Sequence, residues 1–254
     1  MDFLQTVRKN FEEWKNQGLC EDAAILNKKM GKAYFDVCEP HFFTGDLTSE
    51  IVLIMLNPKR NKDVWNQKCS VSNWEDYLDS FVHFGMNHYG SNSKREHKSP
   101  FDHKQVRFLK PFNVLPFNGE KYHDLEIVID NKLQLELVPF GSPDFDYHAI
   151  GVQNLEPFIG RLLSIVLKYP RKYVIFCGRV FCEILGSCIT KESRYKLNLM
   201  KADGTITRSQ FEVVNIELCY NNETIRACVA PQFALQGAPI QAYGEKICEL
   251  YFEM

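Results

Sequence analysis

Residues 51–60 read IVLIMLNPKR: six consecutive apolar side chains, then Asn57-Pro58 and two cations. No polar position interrupts the run, and it is too short for a typical globular helix, so it reads as a β-strand covered on both faces. The strand ends at Asn57, because the ring of Pro58 disfavours helix at the preceding residue and leaves its own nitrogen without a proton for the ladder. Strands buried on both faces belong to parallel sheets with helices on each side.

Working outward, Tyr173-Val174-Ile175-Phe176 forms a second buried run, stopped at Cys177-Gly178 and followed by helical spacing over 180–185. Leu133, Leu135 and Leu137 alternate with Gln134 and Glu136, as in a strand, with Asp130-Asn131 as its hairpin start. Phe158, Ile159, Leu162, Leu163 and Val166 recur at helical intervals after Pro157, which is placed in the first turn. Residues 211–219 and 224–229 read as strands joined through Asn221-Asn222. An opening helix carries Phe3, Leu4, Val7, Phe11 and Trp14 on one face, and a closing helix near Pro239 presents Ile240, Tyr243, Ile247, Leu250 and Tyr251. The more polar stretch at about 59–125 lacks one sustained period and reads as an elaborated surface insertion. With no internal repeat or low-complexity linker, the expectation is one α/β domain over residues 1–254, a three-layer α/β/α sandwich around a mainly parallel sheet.

Composition narrows the function. A net charge of -2 excludes a globally basic nucleic-acid coat, so phosphate contacts would have to come from a local patch. The nine cysteines are scattered, without a Cys-x-x-Cys pair, and read as reduced thiols rather than ligands. His83, His88, His97 and His103 have no zinc-ligand spacing, so no metal is expected. Neither a Gly-x-Gly-x-x-Gly nor a phosphate-loop motif occurs, and no cofactor is expected. The N-terminus is acidic within its first turns and no apolar run reaches membrane-spanning length, so a cytoplasmic protein without membrane contact is expected.

In open α/β sheets the reactive crevice lies beyond the carboxyl ends of the strands. The residues there are Asn57-Pro58-Lys59-Arg60, Pro139-Phe140-Gly141-Ser142, Cys177-Gly178-Arg179 and Ala230-Pro231-Gln232-Phe233. Ser142 has no Gly-x-Ser-x-Gly elbow, and Cys177 and Cys182 have no histidine in their motif, so nucleophilic catalysis is not indicated.

This order of motifs resembles the uracil-DNA glycosylase superfamily, over roughly residues 50–250. Met55-Leu56-Asn57-Pro58-Lys59 stands where that family has a Gly-x-Asn-Pro-Gly-like segment, keeping Asn-Pro without the glycines. Val229-Ala230-Pro231-Gln232 stands where it has a His-Pro-Ser-like segment, and there the imidazole that stabilises charge on the leaving base is missing. Phe140 stands near the family's pyrimidine-reading asparagine. The resemblance implies a DNA glycosylase-like protein acting on or recognising an extruded base in DNA, by hydrolysis of the base–sugar bond if active, with Asn57 as the catalytic residue orienting water. Pro58, Phe112, Phe140, Ser142 and Gln232 would line the base pocket. The alternative is an inactive module that binds nucleic acid, nucleobase or protein on the same fold. Asn57-Pro58 also fits a simple strand-ending turn.

Residues 94–112 hold Lys94, Arg95, Lys98, Lys104, Arg107 and Lys110 against two acids, with Phe101, Phe108 and Phe112 interleaved. Cations beside stacking surfaces suit single-stranded DNA or a flipped base, and these six are the candidate nucleic-acid contacts. A solvated loop pinned by core phenylalanines fits the same composition.

Overall fold

The computed structural model describes residues 2–37, 39–60, 71–97, 99–201, 203–208, 210–232 and 239–253. Its strands are β1 (Phe43–Gly45), β2 (Ile51–Met55), β3 (Leu133–Glu136), β4 (Tyr173–Cys177), β5 (Ile189–Leu197), β6 (Phe211–Tyr220) and β7 (Glu223–Ala230). Among the described residues they form one seven-stranded sheet in the order β1-β3-β2-β4-β7-β6-β5. The central pairs β3–β2, β2–β4 and β4–β7 are parallel; β1–β3, β7–β6 and β6–β5 are antiparallel. The sheet is therefore mixed where a mainly parallel one was expected. Its antiparallel share comes from the short edge strand β1 and from the β5–β6–β7 meander.

Helices cover both faces because each central strand alternates two apolar sets. Val52, Ile54, Val174 and Phe176 pack under α1 (Phe3–Gln17) and α8 (Val152–Lys168). Leu53, Ile175, Cys177 and Cys228 pack under α5 (Pro100–Leu109) and α10 (Ile240–Leu250). The remaining helices are α2 (Glu21–Met30), α3 (Trp74–Val82), α4 (Phe84–Tyr89), α6 (Lys121–Asn131), α7 (Tyr147–Ile150) and α9 (Phe181–Ile184). Helix α1 starts with a capping box at Asp2 and Gln5 and stops at Gly18, whose φ of 73° closes the last turn. The helices α5 and α10 approach so closely at Gly244 that a Cβ there would lie 2.2 Å from the Phe108 carbonyl oxygen.

The described residues of the stretch 59–125 lie on the crossover from β2 to β3; they carry α3, α4 and α5, and Phe108, Leu109 and Phe112 among them are buried against the sheet. Two local expectations are corrected. No hairpin precedes β3, which follows directly from α6. Helix α8 starts at Val152, so Pro157 lies inside it rather than in its first turn. The β6–β7 turn is as read, with Asn221 and Asn222 at φ 51° and 63°, the left-handed pair that a two-residue hairpin of this twist requires.

Candidate functional site

The chain leaves β2 toward β3 on one side and leaves β4 toward the opposite side, where β7 lies. The exits of β2 and β4 therefore diverge, which opens a crevice at their carboxyl ends. Asn57 follows β2 and Gly178 follows β4. Gly178 has φ 151°, and a Cβ there would lie 3.6 Å from both the Gln232 side chain and Leu56 Cδ1. Its amide donates to the Ala230 carbonyl at 2.7 Å. The exits of β2, β4 and β7 thus converge on one edge, with Gln232 exposed.

The exits of β2 and β3 continue to pair beyond the sheet. The Leu137 and Val138 amides donate to Met55 and Leu56 at 2.9 Å, Ser142 donates to Pro58 at 3.1 Å, and Arg60 donates to Ser142 at 3.0 Å. Asn57 braces this arm with its side-chain amide nitrogen, 2.7 Å from Ser142 Oγ and 3.1 Å from the Phe140 carbonyl oxygen. The Ser142 hydroxyl donates in turn to the Asp144 carbonyl. Among the described residues Asn57 Oδ1 has no hydrogen-bond partner, so its acceptor remains available.

Residues 36–37 and 39–42 run along the same arm. Asp36 donates to the Gly141 carbonyl at 2.8 Å and His41 to the Pro139 carbonyl at 2.6 Å. Arg60 crosses it, with Nη1 2.8 Å from Asp36 and Nη2 2.8 Å from Glu39. Its stem occupies the space of a side chain at Gly141, where a Cβ would come within 2.6 Å. Burial, with Arg60 and Lys132 nearby, pushes the His41 imidazole down to about 4, so it is neutral at physiological pH.

The two candidate stacking aromatics are not at the crevice surface. Phe140 is fully buried and meets Phe158 edge-on at 6.4 Å. Phe112 is buried against Tyr173 at 4.9 Å. Burying a phenyl ring stabilises by roughly 1.5–3 kcal/mol, and at both positions core packing has taken the ring.

The sequence reading does not show a largely buried polar ladder that runs from Lys132, at the end of α6, into β3. Lys132 Nζ donates to Gln134 Oε1 at 3.4 Å, and Gln134 Nε2 donates to Glu136 Oε1 at 2.8 Å. Glu136 lies beside Met55, at the carboxyl end of β2, and its Oε2 is buried without a partner among the described residues. Burial raises the Glu136 carboxyl to about 8, while Gln134 and Lys132 oppose the rise. Burial lowers Lys132 to about 8. The only sequence signal was the pair of polar residues at alternate positions of an otherwise apolar strand.

The basic segment is placed elsewhere, on the crossover. Arg95 precedes α5 and holds its guanidinium carbon 4.5 Å from the Tyr122 ring centre, Lys104 and Arg107 lie on α5, and Lys110 opens the turn after it. Lys94 is near Arg95 in the loop, and Lys98 lies outside the described residues. A cavity of about 640 Å³ between α5 and α6 is lined by His97, His103, Lys104, Arg107, Lys121 and Tyr122, among others. Lys94 and Lys110 do not line it. Two acids accompany the lining cations: Asp102 accepts the Tyr89 hydroxyl at 2.5 Å, and Asp124, which also lines the cavity, accepts the Asn118 and Gly119 amides at 3.0 and 3.2 Å. Burial, then Lys121 and Arg107, lowers the His103 imidazole.

Among the described residues no three His, Cys, Asp or Glu side chains are placed to hold a metal ion. Nor is any described helix long and apolar enough to cross a membrane. No family model matches the chain, and no curated protein or solved structure matches it either.

Proposed function

We propose that this chain is a nucleic-acid-binding protein on a three-layer scaffold like that of the uracil-DNA glycosylases, and that it engages single-stranded DNA or an extruded nucleotide at the cavity between α5 and α6. The carrying observation is the convergence of Lys104, Arg107 and Lys121 with His97, His103 and Tyr122 on one concavity of about 640 Å³. Cations beside an aromatic ring supply the two attractions that a nucleotide offers, phosphate charge and a stacking face. The scaffold reading is supported by the order β3-β2-β4-β7 of the parallel strands and by Asn57-Pro58 at the exit of β2.

The test is fluorescence anisotropy with labelled single-stranded oligonucleotides across a salt series. Affinity falls steeply with salt, and replacing Lys104, Arg107 and Lys121 by alanine reduces the logarithmic slope by about 2 if each contacts one phosphate. Undetectable or salt-independent binding removes the proposal.

Hydrolysis of a base–sugar bond is the second reading, favoured by the available Asn57 Oδ1 at the edge where three strand exits converge. That oxygen is suited to accept a hydrogen bond from water, while Ser142 and the Phe140 carbonyl fix the amide. Gln232 stands where charge on the departing base would be stabilised, and a neutral amide does this less well than an imidazolium. Excision of uracil and related bases, slow in the native protein and absent in Asn57→Ala, is the expected signature. Equal product from both proteins refutes the role of Asn57.

A further inference from the structure

The cavity between α5 and α6 has the volume of a site for one ligand. Its volume of about 640 Å³ lies in the range that encloses one small ligand, whereas a strand-tracking groove spans several nucleotides. Its cations come from both walls, Lys104 and Arg107 from α5 and Lys121 from the first turn of α6. Ser99 and Pro100, where the ten-residue α5 begins, complete the rim and add the positive end of the helix dipole. His97 and His103 stand on the same lining. One acid, Asp124, also lines the cavity, where it accepts from the Asn118 and Gly119 amides, and Asp102 accepts from Tyr89 and lies 3.4 Å from the His97 ring; against them the lining sets three cations, Lys104, Arg107 and Lys121.

Such a concentration of point charges at one spot favours a ligand that also concentrates charge. A phosphodiester carries one negative charge per residue, spread along the strand; a terminal phosphomonoester carries nearly two on three oxygens. We propose that the cavity recognises the phosphorylated end of a nucleic-acid strand, the monoester seated among Lys104, Arg107 and Lys121 and its nucleoside beside Tyr122. The inference rests on the nucleic-acid reading above and goes beyond it in naming the end, and the charge, that is read. Burial is the main cause that lowers the His103 imidazole, and Lys121 and Arg107 add to it, in keeping with cations gathered around that lining.

The experiment uses the full chain and three single-stranded oligonucleotides of one sequence: a 5′-phosphate, a 3′-phosphate, and hydroxyls at both ends. Binding is read by anisotropy at fixed salt, with adenosine monophosphate and adenosine as competitors. One phosphorylated form is expected to bind about tenfold more tightly than the hydroxyl form, and the monophosphate to compete where the nucleoside does not. Lys121→Gln and Arg107→Gln should each shrink the difference toward one while circular dichroism shows an unchanged fold. Equal, salt-dependent affinity for all three oligonucleotides overturns end recognition and leaves nucleic-acid binding standing. Binding to none of them overturns both.

Discussion

Replacing Glu136 by glutamine should remove a large pH dependence of stability. In the unfolded chain the carboxyl ionises near its ordinary 4.5, whereas burial in the fold raises it to about 8. Between these values the native state holds a proton that the unfolded state has released. Stability is therefore greatest below pH 4.5 and falls as pH rises to 8, by about 1.4 kcal/mol per pH unit and about 5 kcal/mol in all. Lys132 acts in the adjoining window. Its ammonium is lowered from 10.5 to about 8, so its contribution is complete above 10.5 and is lost as pH falls to 8. Together the two groups place a stability minimum near pH 8. Glutamine keeps the oxygen that accepts from Gln134 and cannot ionise, so Glu136→Gln should match the native protein near pH 5 and exceed it by several kcal/mol at pH 8. Urea unfolding of both proteins at pH 5, 6, 7 and 8 measures this, and the difference curve cancels the titrating groups that Glu136 does not reach, leaving Glu136 and the coupled Lys132. Parallel curves would refute the assignment of a buried, protonated carboxyl.

Two substitutions probe the packing and the strand-exit arm. Gly244→Ala should destabilise by about 1–3 kcal/mol despite the better helix propensity of alanine, because the added Cβ meets the Phe108 backbone oxygen at 2.2 Å; an unchanged urea midpoint would contradict the close approach of α5 and α10. Ser142→Ala removes both the 2.7 Å acceptor of the Asn57 amide and the hydroxyl that donates to Asp144. It should cost about 1–3 kcal/mol and speed amide hydrogen exchange over 139–144, and native-like exchange there would show that the brace is dispensable.

The parts legible in the sequence were those where one physical demand acts alone. Residues 51–55 and 173–177 had to be strands because every side chain is apolar and both faces are covered. The β6–β7 turn was legible because Asn221-Asn222 tolerates left-handed backbone. Strand β5 was not, since ITKESRYKL is largely exposed and its strand form comes from pairing with β6. The helices of the crossover were not legible because α3 to α6 are short, between 6 and 11 residues, and Gly90 and Pro111 break the period between them. Whether Phe112 and Phe140 pack in the core or stack a ligand was not legible, because an aromatic residue near a strand end serves both equally in sequence. Burial against Tyr173 and Phe158 is what separates those roles.

Natural sequences depart from packing rules chiefly where something other than stability holds them. Some of these departures lie near one another, while others, such as Asn10 on α1 and Asn215 on β6, stand apart. Lys132, which follows α6, and Glu136 on β3 are buried, and Gln105 is buried on α5 with its Oε1 unpartnered among the described residues. Two of the helices nearest them, α5 and α6, form the basic cavity on their other side. Asp102 connects the two regions: it accepts the Tyr89 hydroxyl, lies 3.4 Å from the His97 ring at the cavity, and also favours the charged form of Lys132. A core required only to fold would exchange this ladder for aliphatic side chains of similar volume at a gain in stability. The ladder and the helices that form the cavity lie on the same β2–β3 crossover, which begins at Asn57 and ends in the strand that carries Glu136.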